Sequence, residues 1–254
     1  MVLLIDIGNS RLKWATLHAG ALSEMRAASY ANWTRRDVNE QVLGPAGCVE
    51  QVLVSNVGGR RIAALVNEAV RETWGIAARF VIPTSWAAGV RNGYADPGQL
   101  GADRWAALLG AQAMGVGAAC IISVGTAMTI DGLDDSGQHL GGLILPGPDL
   151  MVASLLGHTS DLAERSRGGA TGSTLFADNT RGAIQQGTCH ALAALVERAI
   201  DAMGAASGTT PAVLLTGGAC ARIEPYLARP ARTVPDLVLR GLAVLAEQPT
   251  SLDA

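Results

Sequence analysis

The sequence predicts an α/β chain built as two related halves. Three observations predict it. Short aliphatic or β-branched runs alternate with stretches of helical periodicity throughout. A strand-helix-strand order over residues 49–82 calls for a crossover and a parallel strand pair. A strand running into a glycine turn at residues 3–10 returns at residues 120–127, with Asp6, Gly8 and Asn9 answered by Ser123, Gly125 and Thr126, which is either an internal repeat or chance similarity between two buried strand-turn units.

The elements follow in order. Residues 2–7 are an apolar strand, Gly8-Asn9 a turn dipeptide, and residues 11–17 a second extended run. Ala19-Gly20 turns the chain again, so residues 21–29 return as a third strand. Residues 49–57 are β-branched and buried. Residues 61–74 carry apolar side chains at helical spacing and stop at Gly75. Residues 79–82 form a short strand ended by Pro83. Residues 92–101 are a Gly/Pro/Asp loop, and 104–114 an alanine-rich helix.

The second half opens with a strand at 118–124, followed by strands at 126–133 and 140–145 and a helix at 149–156. Residues 165–174 are polar and glycine-rich and read as a mobile loop. A long helix at 180–203, a strand at 212–216, a Gly217-Gly218 turn and a helix at 235–246 complete the chain. The expected division is residues 1–115 and 116–254.

Composition narrows the function. Of the 254 residues, 49% are hydrophobic and 16% charged, which excludes a disordered chain. The net charge is −3 with no basic cluster, so neither nucleic acid nor an anionic membrane is an expected partner. Cys48, Cys120, Cys189 and Cys220 are scattered, which favours a reducing compartment over a disulfide framework. The histidines show no metal-ligand spacing. The N-terminus does not read as a signal peptide, and no apolar run reaches spanning length. A cytoplasmic protein is expected.

Three places carry candidate chemistry. A glycine beside small polar residues can aim backbone N–H groups at a phosphate. Gly8, Asn9 and Ser10 supply one such turn, and Gly125 with Thr126 a second. Lys13 is a point charge in reach of the first, and Asp6 a carboxylate suited to Mg²⁺. Either turn alone also reads as an ordinary hairpin. Gly101-Ala102-Asp103-Arg104 opens a helix, with Asp103 as general base and Arg104 as carboxylate clamp, or simply as helix-terminal charges. Gly217-Gly218 joins a strand to a helical stretch and lets a flat ligand approach, or is only a tight turn. Neither a P-loop nor a dinucleotide-binding glycine pattern is present.

Together these segments resemble a known family. Asp6-Ile7-Gly8-Asn9-Ser10 resembles the first phosphate motif of the actin-like ATPases. Residues 123–131 resemble their second, and Leu215-Thr216-Gly217-Gly218-Ala219 their adenosine motif. With Gly101-Ala102-Asp103-Arg104 between the first two, and Asp178-Asn179-Thr180-Arg181-Gly182 after them, the set resembles the type III pantothenate kinases over nearly the whole chain.

The resemblance implies two actin-like (ribonuclease H-like) subdomains with a nucleotide cleft between them, and phosphorylation of pantothenate by ATP with Mg²⁺. By it, Asp103 is the proton acceptor. Gly101, Ala102 and Arg104 bind pantothenate, with Tyr94 and Thr180 as further contacts. Asp6, Ile7, Gly8, Asn9, Ser10, Arg11, Leu12, Lys13 and Thr126 contact the ATP phosphates. A homodimer with the substrate site near its interface is implied as well. Many members carry Asp where this chain has Ser123, a group that helps hold K⁺. A need for K⁺ or NH₄⁺ thus either persists through other ligands or is relaxed. Another small-molecule kinase of the superfamily, or a non-catalytic accessory protein, stays open as an alternative.

Overall fold

The computed structural model describes residues 1–166 and 175–248. They form two compact units: residues 1–116, 136–139 and 236–248, and residues 117–135, 140–166 and 175–235. The units thus differ from a single cut at 115/116 by one residue at the boundary and in two further places. A four-residue segment and the last helix both pack with the first unit.

In the first unit, β1 (Val2–Ile7) forms a hairpin with β2 (Arg11–His18), pairing Leu4 with Ala15 and Asp6 with Lys13. The expected third strand is two pieces, β3 (Ala21–Leu22) and β4 (Arg26–Ser29), both antiparallel to β2. The break is at Ser23, whose hydroxyl accepts from the Thr16 N–H at 3.0 Å in place of a backbone carbonyl.

Residues 35–46 are helical, which the sequence did not signal: α1 (Arg35–Val38), a π turn (Asn39–Leu43) and α2 (Gly44–Ala46). Gly44-Pro45 reads as a breaker, and Pro45 has no N–H to continue a regular ladder.

Then come β5 (Gln51–Asn56), α3 (Arg60–Trp74) and β6 (Arg79–Phe80). Strand β5 runs parallel to β1 and β6 parallel to β5, giving the sheet order β3-β2-β1-β5-β6. Helix α3 ends at Gly75, whose left-handed backbone (φ 73°) lets its N–H reach the Arg71 carbonyl.

The two faces of this sheet differ. Leu3, Ile5, Ile7, Val52 and Val54 join Ile62, Val66 and Val70 of α3 and Val38, Val42 and Leu43 in one core. Each such side chain contributes about 1.5–3 kcal/mol by leaving water. Strand alternation sends Leu4, Asp6, Leu53 and Ser55 to the other face. That face is covered by α4 (Ala102–Ala113) and the last helix, α8 (Leu237–Glu247). Between β6 and α4 lies a two-stranded ribbon, β7 (Trp86–Ala87) with β8 (Val90–Arg91).

Helices α4 and α8 touch backbone to backbone. A Cβ on Gly241 would overlap the Ala106 carbonyl, and one on Gly110 the Leu237 carbonyl. Gly241→Ala gains helix propensity but must push the helices apart. It is expected to destabilise the fold by about 3 kcal/mol, read as a melting temperature lower by roughly 6–12 °C.

The second unit repeats the plan. Strands β9 (Ala119–Val124) and β10 (Ala127–Leu133) form a hairpin, and β12 (Ala212–Thr216) lies parallel to β9. With β11 (His139–Pro146) and β13 (Arg232–Thr233) the order is β11-β10-β9-β12-β13. The two segments that echo each other in sequence, 3–10 and 120–127, therefore occupy equivalent strand-turn positions.

Helix α5 (Pro148–Gly157) and the unforeseen α6 (Ser160–Arg165) precede α7 (Thr180–Ser207). α7 buries Leu192, Ala193, Val196 and Ile200 against the sheet. Arg165, the first residue of the expected 165–174 loop, ends α6, and residues 167–174 lie outside the described residues. Among the described residues no helix is long and apolar enough to cross a membrane.

Candidate active site

The first unit gathers Asp6, Lys13 and Asp103. Hairpin register places Lys13 opposite Asp6, with Nζ 4.0 Å from Oδ2. The turn between them is built rather than incidental. The Gly8 N–H bonds the Arg11 carbonyl at 3.0 Å, and the Tyr30 hydroxyl donates to the carbonyls of Gly8 and Asn9. Gly58 then closes on this turn. A Cβ there would lie 2.6 Å from the Gly8 oxygen and 2.8 Å from Ile7 Cγ2, so no larger residue fits. Asn9, Ser10 and Arg11 are exposed on the turn. Ile7 and Leu12 have their side chains in the core, which leaves only their backbone for a phosphate.

Asp6 is an uncomfortable residue. Burial pushes its carboxyl up to about 6; Lys13 pulls it down, and the charge of Asp103 raises it further. The Ser55 hydroxyl, opposite on β5, eases the rise without making a well-formed hydrogen bond. Asp6 Oδ1 is buried and has no hydrogen-bond partner. A buried carboxylate oxygen left without a donor suits a cation. Among the described residues no three His, Cys, Asp or Glu side chains could hold a metal by themselves. A divalent ion here would thus rest on Asp6 together with phosphate oxygens and water, the arrangement Mg²⁺ favours.

Asp103 sits in the first turn of α4, after the cap residue Gly101. Its Oδ1 accepts from the Arg104 N–H at 2.8 Å. A Cβ on Gly101 would come within 2.7 Å of that same oxygen, so glycine at 101 makes room for the carboxylate.

Arg104 is buried, 5% exposed. Its Nη1 donates to the Tyr94 hydroxyl at 2.8 Å, and its Cζ lies 5.4 Å from the centre of the Tyr94 ring. Tyr94 is held in turn by Asn92, whose Oδ1 accepts the Tyr94 N–H at 3.0 Å and whose Nδ2 donates to the Thr84 carbonyl at 3.2 Å.

The second unit gathers the other glycine turns. Gly125 N–H bonds the Ala127 carbonyl at 2.9 Å, and the Thr126 carbonyl accepts from Gly147 N–H at 2.8 Å. Gly217 packs on the end of β9. Its φ is 99°, a Cβ would overlap the Val124 backbone, and Ala219 N–H reaches the Val124 carbonyl at 3.0 Å. The Gly125-Thr126 and Gly217-Gly218 turns are therefore neighbours at the carboxyl ends of two parallel strands, β9 and β12. Ser123 lies one pair inward, opposite Thr216. Thr180 is the first residue of α7, whose cap Asn179 accepts the Gly182 N–H at 2.9 Å.

Sequence reasoning missed Tyr30, Ser55, Gly58 and His139. Tyr30 and His139 act on turns 22 and 46 residues away, so no local pattern marks them. The Gly58-Gly59 doublet after an apolar strand was the one available signal.

A family profile described as type III pantothenate kinase matches residues 2–202. The chain is 36% identical to a type III pantothenate kinase of Nitrosococcus oceani, covering 97% of this chain and 94% of that one. It is 40% identical to a type III pantothenate kinase of Azoarcus sp. strain BH72, covering 97% and 90%. In structure it is similar to a putative 2-dehydro-3-deoxygalactonokinase from Sinorhizobium meliloti, with a TM-score of 0.62, 16% identity and coverage of 98% and 100%. That likeness shows the fold, which is the α/β fold of the actin-like ATPases and their kinase relatives. The repeated sheet plan, the glycine turns and the full-length relatives lead to one conclusion: this chain belongs to the type III pantothenate kinase family.

Proposed function

We propose that the chain transfers the γ-phosphoryl group of ATP to the primary hydroxyl of pantothenate, giving 4′-phosphopantothenate on the route to coenzyme A. The observation that carries this is the placement of Asp103. Its carboxylate is held at a helix N-terminus, within electrostatic reach of Asp6 and adjacent to a buried arginine.

Phosphoryl transfer passes through a loose transition state and asks mainly for positioning and charge neutralisation. Gly8, Asn9 and Ser10 offer backbone and hydroxyl groups to phosphate oxygens, and Lys13 a positive charge. Gly125 and Thr126 offer a second turn to phosphate, and Gly217-Gly218 a flat approach for adenosine. Mg²⁺, held by Asp6 with water and phosphate, would supply charge neutralisation. Asp103 accepts the proton of the attacking hydroxyl. Arg104, steadied by Tyr94, grips the pantothenate carboxylate. Thr180 supplies a further polar contact.

Two finer points belong to this proposal. The second unit exposes Leu140, Leu143 and Ile144 on β11 and Leu150 and Leu155 on the consecutive helix α5. A second copy of this chain is the occupant proposed to cover these apolar side chains. Ser123 offers an oxygen but no charge, so a monovalent-cation requirement is either met through other ligands or relaxed, with relaxation the reading proposed here. The buried thiols Cys120, Cys189 and Cys220 suit the reducing cytoplasm.

The test is ADP release by the purified protein with ATP and Mg²⁺, with and without pantothenate, in Na⁺, K⁺ and NH₄⁺ buffers. Pantothenate-dependent release in all three salts, with at most a severalfold advantage for K⁺ or NH₄⁺, is the expected result. Release driven instead by a sugar or an acyl acceptor would replace the substrate assignment.

A further inference from the structure

Segment 136–139 lies between two strands of the second unit yet packs with the first. It is locked there by the backbone. Arg91 N–H bonds the Gly137 carbonyl at 2.9 Å, and Arg91 and Gln138 form a parallel bridge. Gly137 has φ 82°, and a Cβ on it would overlap the Gly89 carbonyl, so the segment lies flat on the β7–β8 turn only because residue 137 is glycine.

What this detour delivers is His139. Its side chain is buried, 1% exposed, beside Tyr94. The two rings stack with centroids 5.7 Å apart and planes 18° from parallel. Its Nδ1 accepts the Gly93 N–H at 3.3 Å, which places the imidazole proton on Nε2. One side chain thus holds both the backbone before Tyr94 and the Tyr94 ring, while the Tyr94 hydroxyl and ring hold Arg104.

We infer that His139 is the positioning residue that orients Tyr94, and through it Arg104, for the carboxylate of pantothenate. The inference rests on the proposal that Arg104 grips that carboxylate. A purely space-filling role would be met by any apolar ring. The Nδ1 acceptor ties the side chain to the Gly93 N–H specifically. A guanidinium displaced by an ångström loses its two-point fit to a carboxylate, whereas ATP contacts made elsewhere are untouched.

The experiment measures kcat and the KM values for pantothenate and ATP on the full chain. The variants are His139→Ala, His139→Phe, His139→Asn, Arg104→Ala, Tyr94→Ala and the double variant His139→Ala/Tyr94→Ala. Phe keeps the ring and loses the acceptor, and Asn keeps an acceptor near Nδ1 and loses the ring. His139→Ala is expected to raise the pantothenate KM about tenfold, or 1.4 kcal/mol, with the ATP KM within twofold. His139→Phe and His139→Asn should fall between it and the parent. In the Tyr94→Ala background, removing His139 should add less than a twofold change. A rise with Arg104→Ala but none with any folded His139 variant overturns the positioning role alone. No rise with Arg104→Ala removes the carboxylate assignment and this inference with it. Equal changes in both KM values would mark His139 as a general structural residue and also overturn the inference.

Discussion

Replacing Asp103 by Asn is expected to lower kcat by about 10²–10⁴-fold, the usual worth of a positioned general base, with the fold unchanged. The amide keeps the shape and still offers an oxygen to the Arg104 N–H, but it cannot take a proton. Substrate binding should change little, because Arg104 and the glycine turns proposed to hold pantothenate and phosphate remain. The substitution has a second, independent signature. The negative charge of Asp103 raises the Asp6 carboxyl, so Asp103→Asn should lower the Asp6 titration from about 6. Carbon-13 NMR of the Asp6 carboxyl would read that shift. Near-parental turnover in a folded Asp103→Asn protein would remove Asp103 as the base.

Asp6→Asn should abolish turnover and make the ligand-free protein more stable. The parent carboxyl is raised from 3.8 to about 6, chiefly by burial. Folding therefore favours its protonated form. The stability that this form confers is full below the ordinary carboxylate range and is lost as pH rises through about 6. Near pH 8 the protein carries the cost of a buried charge, roughly 3 kcal/mol for a carboxyl raised from 3.8 to about 6. Asn avoids that cost but leaves Lys13 without its partner. The net gain is thus about 2 kcal/mol, or roughly 4–8 °C in melting temperature. The gain should shrink toward pH 4. Thermal unfolding of both proteins from pH 4 to 8, without nucleotide, checks the sign. A stability difference that does not vary with pH would show that Asp6 is not held under this strain. The parent alone should regain stability on adding ATP with Mg²⁺, because the cation proposed for Oδ1 would compensate the charge.

The hairpins that carry the Gly8 and Gly125 turns were legible in the sequence because their signals are local. An apolar run, Gly8-Asn9 and a second extended run suffice for the first, and the same pattern around Gly125 suffices for the second. The helix opened by Gly101-Ala102-Asp103-Arg104 was legible as a start signal. The reason for Gly101, room for the Asp103 carboxylate, needed coordinates. Residues 35–46 were not legible, since Gly44-Pro45 argues against the helix they form. Tyr30 and His139 were not legible because each acts on a turn far away in sequence. Local pattern located α8 as a helix, but which unit it covers depends on backbone contact between Gly241 and Ala106, a fact of packing that no periodicity encodes.

That placement of α8 bears on how the chain is made. Leu4, Asp6, Leu53 and Ser55 face α4 and α8, and α8 is the last described element to be synthesised. At about 5–20 residues per second, the roughly 120 residues of the second unit delay α8 by some 6–24 s after residue 116 is added. During that interval the nascent first unit presents an unfinished apolar sheet face. The second unit, which is nearly continuous in sequence, has no such wait and can complete its core first. Folding on the ribosome would then run against the usual N-to-C order, with the unit that begins the chain finishing last.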